Sequence, residues 1–252
     1  MFSAVTWLLV AGVLGAAGGH DDVGSFLYQP AYAADEVLRA PAERYLPQPG
    51  DLVFCTDHKV FWCLTHSWAG AGHPHHSGIV LARPDGQLAV LEAGPHDTLW
   101  IRILDIGPHL QKYVDDGESV WIRRRRTPLT EEESARLTAF ALSKDNHRFA
   151  LIRQGAQLTP LRSRGTPVMY FLAKPHPDRT SYFCSELVVE SLVVAGLLDT
   201  ATARPAATYP SDLFFDRSKN PHLNAHLNLT CSWYPPARWT SCASTEAGSA
   251  AP

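Results

Sequence analysis

The central part of the chain carries apolar runs that predict a β-hairpin. Residues 76–82 and residues 87–93 each contain enough apolar and β-branched positions for a strand. Pro84, Asp85 and Gly86 lie between the two runs and supply the chemistry of a tight turn. Strands joined in this way pair antiparallel, so the start of the first strand lies near the end of the second.

The flanking segments predict more strands and one well-marked helix. Thr130 precedes three glutamates, and its hydroxyl can cap the first turn of a helix while Glu133 completes a capping box. Residues 55–75 are read as a loop rich in aromatic residues and histidine, and residues 162–174 as an insertion or loop. The remaining predicted strands are residues 52–54, 100–104, 119–124 and 149–152, and residues 106–113 form a short helix or loop.

Apolar positions at helical spacing after residue 182 predict a helix that carries a cysteine in its first turn. Ser181 suits the N-cap position and Gly196 the end of the helix, so Cys184 lies in the first turn. Free backbone N–H groups and the helix dipole favour a thiolate there and can stabilise a developing oxyanion. Alone, such a cysteine is more often a small buried apolar residue. The apolar positions are Phe183, Leu187, Val188, Leu192 and Val193.

The composition allows a full hydrophobic core and gives no general reason to bind nucleic acid. The chain has 252 residues, of which 45% are apolar and 19% charged, and this suits one globular domain with short additions. The formal net charge is only −3, so no nucleic-acid partner is expected. Four consecutive arginines at residues 123–126 are read as the solvated end of a strand, with an anion site as the alternative.

The first residues predict export to the periplasm or the extracellular space. Residues 4–17 form an uncharged apolar run followed by two glycines, so residues 1–19 are read as a signal peptide. The run is short for a membrane span, and we expect no stable span once the signal is removed. Because no Lys or Arg precedes the run, an uncleaved membrane anchor or a misassigned start codon is the alternative. The other predicted regions are a linker at residues 20–45, the domain at residues 46–240 and a disordered tail at residues 241–252.

Cysteine usage fits an exported protein but leaves the pairing open. Five cysteines occur, and four remain when Cys184 is set aside. Cys55 with Cys63 and Cys231 with Cys242 are the local pairs among three connectivities. Reduced, unpaired thiols are the alternative.

Two residues of the hairpin can complete a nucleophilic site with the cysteine. A cysteine nucleophile needs a base within hydrogen-bond reach, and a third polar group usually orients that base. His76 begins the first strand and Glu92 lies near the end of the second, so antiparallel pairing brings them close. They share a face only in the right register, because a one-residue slip sends one side chain to the other side. Taken alone, each is an ordinary residue of a half-exposed sheet.

A zinc site is the competing interpretation of the histidine-rich loop. Cysteine and histidine together are typical zinc ligands. No pair has the regular spacing of a zinc finger, however, and no His-Glu-x-x-His motif occurs. We therefore expect no metal and no cofactor. The residues in question are Cys55, His58, Cys63, His73, His75 and His76.

Six short motifs, taken in order, resemble the permuted papain-like amidases, the YiiX-like branch of the NlpC-type hydrolases. In that branch the histidine precedes the cysteine helix, and the same order occurs here. The resemblance covers residues 46–215, although residues 55–75 and 153–180 match no pattern of the family. The motifs are Gly50-Asp51-Leu-Val-Phe54, His76-Ser-Gly-Ile-Val80, Val90-Leu-Glu-Ala-Gly94, Val120-Trp-Ile-Arg123, Tyr182-Phe-Cys-Ser-Glu-Leu-Val188 and Tyr209-Pro-Ser-Asp-Leu213.

The resemblance implies a fold and a set of roles. The fold is α+β and circularly permuted papain-like (NlpC-type), with a small antiparallel sheet packed on the cysteine-bearing helix. Cys184 is then the nucleophile, His76 the general base and Glu92 the residue that orients the base. The implied activity is that of a thiol-dependent hydrolase of the amidase or peptidase type, which cleaves an amide or related acyl bond through a thioester.

The resemblance also suggests classes of substrate. NlpC-type relatives cut cell-wall peptides, whereas permuted relatives include enzymes that act on acyl chains of lipids. The expected partner is therefore a peptide, an amide or an acyl-bearing small molecule. A lipid-directed acyltransferase or acyl hydrolase is the alternative, and so is a non-enzymatic binding module on the same fold. Trp62, Leu64 and Trp68 either line an apolar pocket or anchor their loop in the core.

Overall fold

The computed structural model describes residues 25–30, 43–56, 60–225 and 227–241. Within these stretches the protein is α+β, with helices packed on both faces of an antiparallel sheet. None of the described helices is long and apolar enough to cross a membrane. The predicted signal peptide lies outside the described residues, as does all but the first residue of the predicted tail.

Ten strands occur in the described residues, and eight of them form one sheet. The strands are β1 (Phe26–Pro30), β2 (Glu43–Arg44), β3 (Leu52–Thr56), β4 (His76–Ala82), β5 (Leu88–Ala93), β6 (Ile101–Asp105), β7 (Ser119–Arg123), β8 (Arg148–Phe149), β9 (Ser181–Tyr182) and β10 (Ala237–Thr240). The sheet has the order β2-β1-β10-β7-β3-β4-β5-β6, and every neighbouring pair is antiparallel. β8 and β9 form a separate parallel pair. The predicted antiparallel sheet is present and is larger than expected.

Seven α-helices accompany the sheet in the described residues. They are α1 (Val60–Trp68), α2 (Ile106–Asp115), α3 (Glu131–Lys144), α4 (Leu151–Ala156), α5 (Thr166–Leu172), α6 (Cys184–Ala195) and α7 (Pro210–Phe215). The predicted capping box of α3 is confirmed, because the Glu133 N–H donates to Thr130 Oγ1 and the Thr130 N–H donates to Glu133 Oε2. Gly196 ends α6 in the left-handed conformation, with φ 84°, as predicted.

Helices cover both apolar faces of the sheet. Successive strand residues point to opposite faces. Leu52 and Phe54 of β3 pack with Leu187 of α6 in the larger core, to which α3 also contributes. Val53, between them in the chain, packs on the other face with Leu110 of α2. Each such buried side chain contributes about 1.5–3 kcal/mol, so these contacts hold α6 and α2 on opposite sides of the sheet.

The sheet begins upstream of the predicted domain boundary. Two strands, β1 and β2, lie within the predicted linker at residues 20–45. They belong to the main sheet, since β1 pairs with both β10 and β2. Tyr45 is buried, and its hydroxyl donates to Asp51 Oδ2 at 2.8 Å. The linker prediction was wrong here because β1 has no alternating pattern and its main partner lies near the other end of the chain. The domain therefore includes the described residues from β1 onward.

Two stretches predicted as loops contain helices. Residues 55–75 include α1 and residues 162–174 include α5. The strand predicted at residues 149–152 is reduced to β8, and α4 follows it directly. Aromatic and β-branched residues dominate α1, and their weak helix propensity gave no helical signal.

The arginines at residues 123–126 are not all solvated, contrary to the prediction. Arg123 is 2% exposed and donates to the Leu213 carbonyl oxygen at 3.0 Å. Arg125 is also buried, and its guanidinium lies 4.3 Å from the ring centroid of Trp233. A buried guanidinium must find acceptors or an aromatic face, so these arginines join β7 to the C-terminal part of the core.

Glu190 is a buried carboxyl in the middle of α6. Its Oε1 accepts a hydrogen bond from the His176 N–H at 2.6 Å. Burial raises its pKa from 4.5 to about 7, so the folded protein holds a proton that the unfolded chain releases at lower pH. The resulting stabilisation is present below the unfolded pKa and is lost as the pH rises towards 7.

We expect Glu190→Gln to reduce the pH dependence of folding. Between about pH 5 and about pH 8, the free energy of unfolding should fall by about 2–3 kcal/mol more in the wild type than in Glu190→Gln, because the glutamine has no proton to lose. Urea unfolding at the two pH values measures the difference. The exposed Glu131→Gln is the matched control and should behave as wild type. Identical pH dependence in wild type and Glu190→Gln would contradict the assignment.

Candidate active site

Cys184 is the first residue of α6. β9 pairs with β8 as far as Tyr182 and Phe183 remains extended, so the helix begins at Cys184. The N-cap residue is therefore Phe183 and not Ser181, because strand pairing holds Ser181 in β9. The first intrahelical backbone bond runs from the Leu187 N–H to the Phe183 carbonyl oxygen at 3.0 Å, and the backbone N–H groups of the first turn have no carbonyl acceptor within the helix. The predicted place of Cys184 in the first turn is confirmed.

His76 and Glu92 lie on the same face of the sheet. Gly78 of β4 is directly opposite Glu92 of β5, and His76 lies two residues before Gly78 on that face. His76 Nε2 is 3.0 Å from Glu92 Oε2. A Cβ atom at Gly78 would lie 2.5 Å from Glu92 Cγ and 2.7 Å from Glu92 Oε1. The absence of a side chain at Gly78 therefore gives the carboxylate room to reach the imidazole.

His76 also lies beside the cysteine. The two side chains line one cleft, and the proximity of Cys184 helps to raise the pKa of His76. Cys184 Sγ also lies 3.9 Å from the His75 carbonyl oxygen. α6 packs on the face of the sheet opposite Glu92. His76 is the first residue of β4, so its side chain lies at the end of the sheet, where it can approach both Cys184 and Glu92. The structure thus brings the three predicted residues together in the order Cys184, His76, Glu92.

Two residues that the sequence analysis missed also contact Glu92, which is fully buried. The Tyr113 hydroxyl donates to Glu92 Oε2 at 2.8 Å, and His109 Nε2 lies 3.1 Å from the same oxygen. Both come from α2, where residues four apart lie on one face. The signal was present in the sequence, because histidine and tyrosine accompany Leu110 on the apolar side of the predicted helix. A buried carboxylate requires such donors.

The polar contacts continue from Glu92 towards the surface. His96 Nε2 lies 3.1 Å from His109 Nδ1, and His96 Nδ1 lies 3.7 Å from Asp116 Oδ2. Asp116 is exposed, whereas His109 is buried. A continuous series of polar side chains therefore runs from the cysteine, through the carboxylate, to the end of α2.

The charges in this series support one another. Burial would raise the pKa of Glu92, but His109 and His76 hold it well below its usual range. Burial would lower the pKa of His76, but the Glu92 carboxylate and the hydrogen bond to Cys184 raise it well above its usual value. Burial and His109 lower the pKa of His96 to about 4, so this ring is neutral at pH 7. At neutral pH the cysteine therefore faces an imidazolium backed by a carboxylate.

Cys184 lies where two clefts meet. One cleft, of about 90 Å³, has walls that include the polar side chains of His76, His96 and Tyr113. The other, of about 200 Å³, has mainly apolar walls. Gln154 of α4 lines both. The apolar walls are formed by Ala69, Ala71, Leu158, Phe183 and Tyr209.

Leu64 and Trp68 were predicted either to line an apolar pocket or to anchor their loop in the core, and they do neither. Both are exposed on α1, and the apolar cleft is lined instead by residues that follow this helix. The side chain of Trp62 lies outside the described part of the structure. Because residues 55–75 were predicted as a loop, the sequence analysis did not place a helix beside the cleft.

The described cysteines form no disulfide. Cys55 and Cys63 are not joined to each other, so that local pairing option is absent. Cys55 is buried in β3, where burial and the Glu92 carboxylate raise the pKa of its thiol well above the usual value. Cys231 is exposed, and Cys242 lies outside the described residues. Among the described thiols, Cys184 has the contacts expected of a nucleophile.

The candidate zinc ligands separate into two groups. His76 belongs to the contact with Glu92, whereas Cys63, His73 and His75 converge on one another. His58 lies outside the described residues. The three converging side chains are the group in the described structure that can hold a metal ion.

Comparisons with known proteins do not identify a family. No family model matches the chain, and no curated protein matches it. Among solved structures, the crystal structure of metalloprotein YiiX from Escherichia coli O157:H7, DUF1105, is similar at 17% identity and a TM-score of 0.39, covering 60% of this chain and 67% of that chain. The circular permutation and the papain-like and NlpC-type assignments stay predictions.

We expect Gly78→Ala to destabilise the fold by displacing Glu92. The new methyl group would overlap the Glu92 side chain and lie 2.9 Å from Val90 Cγ1, and overpacking of this kind costs typically about 1–3 kcal/mol. Urea unfolding measures the loss. Gly107→Ala is the matched control, because a Cβ there meets no atom within 4 Å and alanine is favoured in α2. Equal stability of the two variants would contradict the close approach of Glu92 to β4.

Proposed function

We propose that the protein is a thiol-dependent hydrolase of the amidase or peptidase type, with Cys184 as nucleophile, His76 as general base and Glu92 as the residue that orients the base. The observation that carries the proposal is that Cys184 and His76 line one cleft while His76 Nε2 lies 3.0 Å from a fully buried carboxylate. Nucleophilic catalysis by cysteine needs this order of groups. A binding module on the same fold has no need of a charged pair beside a thiol.

The proposed reaction begins with attack of the Cys184 thiolate on an amide or ester carbonyl. As the bond to the leaving group breaks, His76 donates its proton to the leaving amine or alcohol, and a thioester remains. Water then attacks the thioester and gives a proton to His76, and collapse of the adduct releases the acid and restores the thiolate. An amine or alcohol in place of water would give acyl transfer.

The start of α6 supplies donors for the oxyanion. The N–H groups of Cys184 and Ser185 precede the first intrahelical bond and lie at the positive end of the helix. Gln154 lines both clefts beside Cys184, and its side-chain amide is a further donor. One oxyanion donor typically contributes about 3 kcal/mol to the rate.

We expect Cys184 to react with iodoacetamide faster than Cys231, although Cys184 is only 6% exposed and Cys231 is exposed. A thiol beside an imidazolium generally reacts faster with alkylating reagents than an isolated one. His76→Asn should therefore slow labelling of Cys184 at pH 7 by about tenfold, because the cationic partner is lost. Timed labelling followed by peptide mass spectrometry measures both thiols in one sample.

Cys231 is the internal control for this experiment, because His76→Asn should leave its labelling rate unchanged. Equal rates at the two thiols in the wild type would contradict the proposed pairing with His76.

Cys184→Ala should abolish hydrolysis of activated esters and amides while the protein still melts cooperatively. Hydrolysis retained by that variant would refute the assignment of the nucleophile.

Action on an acyl chain is the second candidate function, and the apolar cleft favours it. The cleft has a volume of about 200 Å³ and includes Cys184 in its wall. Its walls include Ala69 and Ala71, whose small side chains leave space open beside the thiol. An acyl group attached to Cys184 has apolar surface to contact there, and burial of each methylene contributes about 0.8 kcal/mol.

If the cleft takes acyl chains, kcat/KM for p-nitrophenyl esters should rise from acetyl to octanoyl by up to about fourfold per methylene. Ala71→Leu fills part of the cleft, so it should lower kcat/KM for the octanoyl ester and leave the acetyl ester nearly unchanged. The exposed Ala201→Leu is the matched control. A flat dependence on chain length in the wild type would exclude the acyl-chain candidate and leave amide hydrolysis.

A further inference from the structure

A second group of reactive side chains lies beside the candidate active site. Cys63 comes from α1, and His73 and His75 come from the segment that leads into β4. The ligand atoms of all three lie within 4.8 Å of one another. The rings of His73 and His75 have centroids 4.2 Å apart and are inclined by 47°. Two separate segments of backbone therefore present three metal-binding side chains to one point.

We propose that Cys63, His73 and His75 bind one divalent zinc ion. One thiolate sulfur and two imidazole nitrogens form a donor set that suits zinc, whereas magnesium and calcium prefer oxygen ligands. Zinc–nitrogen bonds of about 2.0–2.1 Å and zinc–sulfur bonds of about 2.3 Å place tetrahedral ligand atoms about 3.5 Å apart. The observed separations require only a small closure of side chains around the ion.

The chemistry of binding balances without a redox step. Cys63 loses its thiol proton to solvent as the zinc–sulfur bond forms, and each histidine binds through a neutral ring nitrogen. Three protein ligands leave the fourth tetrahedral position to water. His75 is buried, Cys63 is half-buried and His73 is exposed, so the ion has a route from solvent.

The ion would join α1 to the residue that precedes the proposed general base. The His75 N–H donates to the Cys55 carbonyl oxygen at 3.1 Å, and the His75 carbonyl oxygen faces Cys184 Sγ at 3.9 Å. The side chain of His75 is then held by the metal while its backbone contacts β3 and α6. The start of β4, with His76, is fixed as a result. This inference goes beyond the proposed hydrolase activity and does not depend on it, because metal binding is measured without any assay of hydrolysis.

The experiment uses the full chain, stripped with a chelator and then loaded with Zn²⁺ or with Co²⁺ as a spectroscopic probe. We expect one equivalent of metal per chain, a thiolate-to-Co²⁺ charge-transfer band, and a rise in Tm when Zn²⁺ is added. Cys63→Ser should remove the band. His73→Asn should weaken Zn²⁺ binding by more than the roughly 10- to 100-fold typical of losing a group outside the ligand set.

Control variants at other cysteines and histidines test whether the ion is bound at Cys63, His73 and His75. Cys231→Ser and His222→Asn alter an exposed thiol and an exposed histidine elsewhere, and both should bind metal as the wild type does. Cys184→Ala should keep the charge-transfer band. Loss of the band in Cys184→Ala, retention of it in Cys63→Ser, or absence of stoichiometric metal in the wild type would each overturn the proposal. Because His73 is exposed, its variant should fold, and circular dichroism of the stripped protein checks this.

Discussion

The burial of one ionised carboxylate constrains the whole site. Removing a carboxylate from water costs several kcal/mol unless donors replace the lost hydration. At Oε2, Glu92 meets this requirement through His76, His109 and Tyr113, which all approach that oxygen, whereas Oε1 has no hydrogen-bond partner in the described part of the chain. The donors come from a strand and from a helix, so the packing of α2 on the sheet and the charge of the site depend on each other. Gly78 is part of the same requirement, because any side chain there would occupy the space of the carboxylate.

The two halves of the proposed catalytic group belong to opposite faces of the sheet. α6 packs on one face and presents Cys184, whereas Glu92 points to the other face, which α2 covers. A side chain in the middle of a strand cannot contact both sides. His76 can, because it is the first residue of β4 and lies where the sheet ends. The start of α6 must therefore lie at that end of the sheet, and the pairing of β9 with β8 places it there.

Local patterns predicted much of this arrangement, and long-range packing decided the rest. The hairpin and the position of Cys184 followed from apolar spacing and from turn and cap chemistry. That His76 and Glu92 share a face did not follow, because the register depends on one residue in the turn. His109 was missed because the sequence shows only its place on the apolar side of α2, and its carboxylate partner lies in another element. β1 was missed for the same reason, since its partner β10 is about two hundred residues away.

A further carboxylate shows how the start of α6 keeps its positive character. Glu186 is fully buried two residues after Cys184, and its negative charge alone would oppose a thiolate there. Arg179 and Arg153 both pair with it, Arg153 at 2.9 Å, so the negative charge is compensated within the site. Arg153 belongs to α4, the helix that places Gln154 along both clefts. The ion pairs that offset the charge of Glu186 therefore also hold α4 over the proposed nucleophile, and the electrostatics and the shape of the site have a common origin.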